Sequence, residues 1–207
     1  MANDIPYTSY SKIYDIFDVI FLLGRKGNPR QGLLDVIHNA PLRVLDVCVG
    51  TAASALMVAA RNNRNHILGI DISDAMLSVA RRKIAKRHLS NLEVANMSAT
   101  EMHYADNSFD VVMVSFALHE LETESREKIF QEVARVLEPG GVFCIIDFAR
   151  QDSLLNHMFL KLWALVEPPS FAHFLDLDWH THLTPYGLRF ESEREYSFSK
   201  LYLWRKP

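Results

Sequence analysis

Five short runs dense in valine, isoleucine, leucine and phenylalanine punctuate the middle of the chain, at residues 42–47, 66–71, 92–95, 109–115 and 142–147. Most are apolar at successive positions, so both of their faces must be covered. Segments with apolar residues at helical spacing occupy residues 52–61, 74–87, 123–137 and 152–166. Few folds accept this alternation. Parallel strands need crossover connections, and helices packed on both faces of the sheet supply them. The expected class is therefore α/β, a doubly wound, Rossmann-like and mostly parallel sheet. The tail carries "FESEREYSF" and "KLYLWRK" with no helix between them, an antiparallel pair at one sheet edge.

The 207 residues suit a single domain with three parts. Residues 1–40 form a helical cap with Ile13, Ile16, Phe17, Ile20 and Phe21 along one stripe. Residues 41–150 form the alternating core, and residues 151–207 add a helix, a loop and the closing strand pair. Within the helix at 74–87, Asp74 is the expected cap, with Met76, Val79, Ala80 and Ile84 facing inward. The formal net charge is −3 with no basic block, which argues against a nucleic-acid partner. Both cysteines, Cys48 and Cys144, lie in apolar, strand-like runs, so a disulfide framework is not expected and a reducing cytoplasm fits. The N-terminal residues lack the pattern of a signal peptide, and no apolar run has the length of a transmembrane segment.

In open α/β sheets, ligands bind beyond the carboxyl ends of the strands. The residues at those ends are Asp46 to Thr51, Asp71, Ser98 to Met102, Ser115 to Leu121, and Asp147. Gly50 permits a tight turn and close approach of a ligand, and the helix from Ala52 presents free N–H groups. Asp71 follows about 20 residues later, at the separation where a carboxylate accepts both hydroxyls of a ribose. The G-x-G-x-x-G of dinucleotide proteins is missing. The pattern thus points to an adenosine-type ligand and away from a dinucleotide oxidoreductase.

Five blocks in order, "VLDVCVGTA", "LGIDISDAML", "SATEMHYADNSFDVV", "ALHEL" and "EVARVLEPGG", resemble the core of class I S-adenosylmethionine-dependent methyltransferases, notably the ubiquinone/menaquinone-biosynthesis group. The resemblance implies a seven-stranded sheet with an antiparallel last strand, and S-adenosylmethionine as cofactor with S-adenosylhomocysteine as its product. Asp46, Cys48, Gly50 and Thr51 would flank the methionine part. Asp71 would hold the ribose, with Ile72 and Met76 packed on the adenine. Ser98 and the backbone of Ala99 would read the adenine edge. Ser115 and Phe116 would line the far side, Phe116 towards the substrate. The N-terminal helix would close over the site with Tyr10 and Tyr14, Tyr14 on the cofactor and Tyr10 on the substrate. The family's first motif, D-x-G-x-G-x-G, is altered here, because Cys48 and Ala52 replace two glycines. Both are small, and only one position is expected to need a positive φ.

Direct methyl transfer requires an in-line nucleophile, a dry site and, for a protonated acceptor, a base. His119 is the candidate base, next to Glu120 at the mouth of the fourth strand. The helix at 152–166 places Leu155, Met158, Phe159, Leu162 and Val166 on one side, as core or as the roof of an apolar pocket. Peripheral membrane contact is compatible with that face, although the helix lacks a basic polar side. The acceptor is thus a small molecule or lipid. The block "SFALHEL" departs on the substrate side from the "GFGLRNV" type of the quinone enzymes. His173, Asp176, Asp178, His180 and His182 have metal-ligand chemistry without a recognised spacing, so no metal is expected and a polar loop at the pocket rim is. The alternative function is a catalytically inactive protein that binds the cofactor as a regulatory module. Oligomeric state is not legible.

Overall fold

A computed structural model describes residues 27–38, 41–165 and 167–207. Tyr10, Tyr14 and Val166 lie outside the described residues. The elements are α1 (Gln31–Val36), β1 (Arg43–Val47), α2 (Ala53–Arg61), β2 (His66–Asp71), α3 (Asp74–Lys86), β3 (Leu92–Asn96) and β4 (Phe109–Ser115). A 3-10 turn, Leu118–Glu120, leads into α4 (Thr123–Val136) and β5 (Leu137–Phe148). Then follow α5 (Leu154–Trp163), α6 (Phe171–Leu175), α7 (Trp179–Leu183), β6 (Arg189–Glu195) and β7 (Ser199–Arg205).

The seven strands pair in the order β3-β2-β1-β4-β5-β7-β6. β1 to β5 are mutually parallel, and β7 runs antiparallel to both β5 and β6. The seven-stranded expectation holds. The closing antiparallel pair also lies at one sheet edge, with β7 inserted between β5 and β6 and β6 outermost. Every residue of β6 is exposed, and its arginines and glutamates discourage pairing with another chain. The order reverses between β1 and β4, which makes their carboxyl ends the switch point.

Period-two alternation sends successive β1 residues to opposite faces. Leu45 and Val47 join Val112, Val114, Phe143 and Ile145 in a core covered by α4 and by Phe174, Trp179 and Leu183. Val44 joins Val111, Met113, Cys144 and Ile146 under α1, α2 and α3. Asp46 falls on this second face and is almost completely buried.

The helix of residues 74–87 is capped by Ser73, not Asp74. The Ser73 hydroxyl accepts from the Met76 N–H at 3.3 Å, which places Asp74 in the first turn beside the positive end of the helix. α5 is rotated from its expected facing. Leu155, Met158 and Leu162 are 54–71% exposed, and the inward residues are Asn156, Phe159, Leu160 and Trp163. A polar anchor sets this rotation. The Asn156 side chain donates to the Ala149 and Ser197 carbonyls, at 3.2 Å each, and accepts from the Gln151 N–H at 3.1 Å. Phe159 stacks on Phe198 with centroids 3.9 Å apart. The segment expected as a polar loop instead contains α6 and α7, whose Phe171, Phe174, Trp179 and Leu183 are buried.

Candidate active site

Beyond β1 the backbone enters the left-handed region at Cys48 (φ 55°), Gly50 (53°) and Ala52 (64°). All three positions that the family fills with glycine therefore need positive φ, which corrects the expectation of a single one. Left-handed residues at alternate positions curl the chain tightly after the strand. The curl is fastened at both ends. The Val49 N–H donates to the Ile70 carbonyl at 2.9 Å, and the Ala52 N–H donates to the Val49 carbonyl at 2.8 Å. Gly69 makes room beneath, since a Cβ there would lie 2.7 Å from the Val49 side chain. At Gly50 a Cβ would meet no described heavy atom within 4 Å, so the turn is open on its outer side.

An alanine in the left-handed region costs about 1 kcal/mol, and a β-branched residue costs more. Ala52 is also fully buried. Ala52→Val is expected to lower stability by about 2 kcal/mol or more, a fall in melting temperature of roughly 4–8 °C by calorimetry. Ala52→Gly is expected to stay within about 1 kcal/mol of the parent, because relief of strain offsets loss of one buried methyl.

The carboxylate of Asp71 joins the two strand ends. One oxygen accepts the Gly50 N–H at 2.8 Å and the other the Ser73 N–H at 2.8 Å. A carboxylate has about four acceptor positions, so two remain for hydroxyl donors. Ile72, directly after it, is 74% exposed, an apolar face beside a polar anchor. Met76 is buried at the start of α3, and Ala99 is buried in the loop after β3. These features fit a nucleoside. The Ser98 hydroxyl pairs with Thr100 within its own turn, and the Thr51 hydroxyl accepts from Lys83 at 3.1 Å.

Ser115 ends β4 with its hydroxyl 2.6 Å from that of Ser54 on α2, and Arg30 Nε donates to Ser54 at 3.2 Å. The guanidinium lies 5.3 Å from the centre of the Phe116 ring. Arg30 thus brings a cation to the start of α2, where an anionic group is favoured. No motif marked it in the sequence, since a lone arginine before a short helix is ordinary surface chemistry.

Burial raises the Asp46 carboxyl to about 8, against the charge of Arg30 and the Ala55 N–H, which lower it. In the unfolded chain the same group titrates near 4. Between these values the folded state keeps a proton that the unfolded state has released, so stability falls as pH rises from about 4 to about 8. Asp46→Asn is expected to flatten melting temperature against pH, its advantage over the parent growing towards pH 9.

A second polar group lies at the carboxyl ends of β4 and β5. His119, 3% exposed, places Nδ1 2.7 Å from Asp147 Oδ1. Asp147 is fully buried and also accepts the Leu118 N–H at 3.0 Å and the Phe148 N–H at 2.8 Å. His119 Nε2 faces Glu167 at 3.6 Å and Glu120 at 3.8 Å. Burial works to lower the imidazole pKa, but the charge and hydrogen bond of Asp147, with Glu167 and Glu120, raise it overall. Phe148, Phe171 and Phe174 meet the ring edge-on at 4.9–6.0 Å. Phe116 packs on Phe148 at 5.4 Å, which connects this cluster to Arg30. Asp147 was visible in the sequence only as a strand-end acid, and Glu167 carried no signal.

The residues at 173–182 are engaged separately. Asp176 pairs with Arg150 at 2.7 Å, Asp178 caps α7, His182 bonds Glu127, and His180 packs on Trp204 and Phe190. Among the described residues no helix is long and apolar enough to cross a membrane.

Residues 44–141 match the model of a methyltransferase domain. The chain is 39% identical over 105 residues to the demethylmenaquinone methyltransferase of Listeria monocytogenes, covering 50% of this chain and 44% of the relative. It is 28% identical over 139 residues to that of Bacteroides fragilis, covering 67% and 56%. The chain thus spans about half the length of the curated relatives it matches. A solved S-adenosylmethionine-dependent methyltransferase from Aquifex aeolicus superposes with a TM-score of 0.73 at 22% identity, over 95% of this chain and 98% of that one. The [4+2]-cyclase SpnF superposes at 0.71 and 18%, over 97% and 95%. At such identities the structural likeness is one of fold. Residues 44–141 thus resemble a methyltransferase domain, carried on a fold shared with S-adenosylmethionine-dependent methyltransferases of known structure.

Proposed function

We propose that the chain transfers a methyl group from S-adenosylmethionine to a small-molecule acceptor with an apolar body. The observation that carries this reading is the bond from the Gly50 N–H to Asp71, which joins a curled loop to a ribose-competent carboxylate beside the switch point. When bound, the cofactor supplies a methyl group made electrophilic by its sulfonium. Asp71 accepts the ribose hydroxyls, Ile72 and Met76 cover the adenine, and Ser98 and Ala99 stand at its edge. The loop from Asp46 to Ala52, with Ser115, holds the amino-acid part, and Arg30 with the α2 N-terminus attracts its carboxylate. Phe116 and Phe148 wall the acceptor side and exclude water. His119 serves as the proton acceptor of the site. The names of the relatives favour a quinone-type acceptor.

Calorimetric titration of the full chain, freed of carried-over ligand, tests the reading. Micromolar binding of S-adenosylmethionine and S-adenosylhomocysteine, with no response to NAD, is expected. Absence of binding to both would overturn it.

A further inference from the structure

The His119 cluster goes further than a single base. The ring is almost fully enclosed, with Asp147 of β5 on one nitrogen and two carboxylates facing the other. Among the described residues, Arg126 of α4 also interacts with Asp147, and it donates to the Leu118 and Leu121 carbonyls. The His119 ring is 3% exposed, so an acceptor beside the half-buried Phe116 does not meet Nε2 directly. It can reach the histidine through Glu167, whose side chain is 11% exposed and interacts with Trp163. Glu120, at 42%, is the side chain that opens to water.

Resting on the reading of a methyltransferase site, we propose that Glu167 takes the proton of the acceptor and that His119, positioned by Asp147, stores it during transfer. The acceptor class is an aromatic hydroxyl. Phe116 and Trp163, half-buried beside the packed rings of Phe148 and Phe171, offer an apolar aromatic surface that suits a flat ring. A phenolic proton, with a pKa near 10, lies within reach of a carboxylate backed by imidazole. The O–H bond breaks and its proton passes to one Glu167 oxygen, while the carboxyl group delivers a proton to His119 Nε2. The freed oxygen forms the new O–CH3 bond, and the electron pair of the broken C–S bond stays on sulfur. Glu120 then passes the proton from the imidazolium to water. The Nδ1 hydrogen stays on the ring and is donated to Asp147 throughout, which keeps Nε2 as the reactive nitrogen.

The test uses the full chain with S-adenosylhomocysteine bound, and imidazole titration by NMR in the parent, Asp147→Asn and Glu167→Gln. It adds turnover of 1,4-dihydroxynaphthalene. Both substitutions are expected to lower the His119 pKa. Parent turnover is expected to rise with pH through the His119 titration. Glu167→Gln is expected to reduce kcat at least about a hundredfold with KM for S-adenosylmethionine unchanged. A His119 titration unmoved by Glu167→Gln, or turnover independent of pH across it, overturns the relay. A parent that binds S-adenosylhomocysteine yet leaves the probe unmethylated overturns the aromatic-hydroxyl class. Failure to bind S-adenosylhomocysteine would instead remove the proposed function.

Discussion

Asp71→Ala is expected to weaken S-adenosylhomocysteine binding at least about a hundredfold, measured by calorimetric titration. Two losses combine. The ribose hydroxyls lose a charged acceptor, which is worth about 1.5–3 kcal/mol for a charge-assisted hydrogen bond. The Gly50 and Ser73 N–H groups also lose their acceptor, so the loop is no longer tied to β2 through the side chain. Stability should fall too, by roughly 1–2 kcal/mol, because half-buried donors are left without partners. Asp71→Asn separates the effects. Its single amide oxygen can keep one of the two backbone bonds, so stability should largely return while affinity stays low. Wild-type affinity in Asp71→Ala would show that the carboxylate does not hold the nucleoside.

Asp147→Ala is expected to be the most damaging substitution to the fold, lowering stability by about 3–5 kcal/mol. The fully buried carboxylate accepts from the Leu118 and Phe148 N–H groups and from His119, and alanine strands all three. The pH dependence is specific. His119 has a raised pKa in the folded state, so its contribution is complete below about 6.5 and fades as pH rises through the folded value. The gap in melting temperature between the parent and Asp147→Asn should therefore be widest at acidic pH and narrow in alkali. A gap independent of pH would show that the imidazole does not titrate against Asp147.

Much of the fold was legible because its signals are local. β2 and β4 fall at the expected residues, since a run of apolar residues wide enough to cover two faces has no exposed alternative. Asp71 and Gly50 were likewise readable, because a strand, a turn and a strand-end acid carry their spacing along the chain. The facing of α5 was not. Its apolar residues surround much of the helix, and a buried asparagine bound to distant carbonyls chose which of them turned inward. Nor could composition distinguish α6 and α7 from a polar loop, because the cover that buries Phe174 and Trp179 comes from β-strands and α4.

The sequence by itself determined the alternation of strands and helices and the acid and glycine at the first two strand ends, since both follow from periodicity and short-range geometry. Only the tertiary structure decided that Cys48 and Ala52 adopt the left-handed backbone normally left to glycine, because the ties from Val49 to Ile70 and from Asp71 to Gly50 hold the loop in that curl. It alone brought Arg30 to Ser54, and Asp147 and Glu167 to opposite nitrogens of His119. Those partners are 24, 28 and 48 residues apart, and the chain between them carries no periodic signal of the meeting.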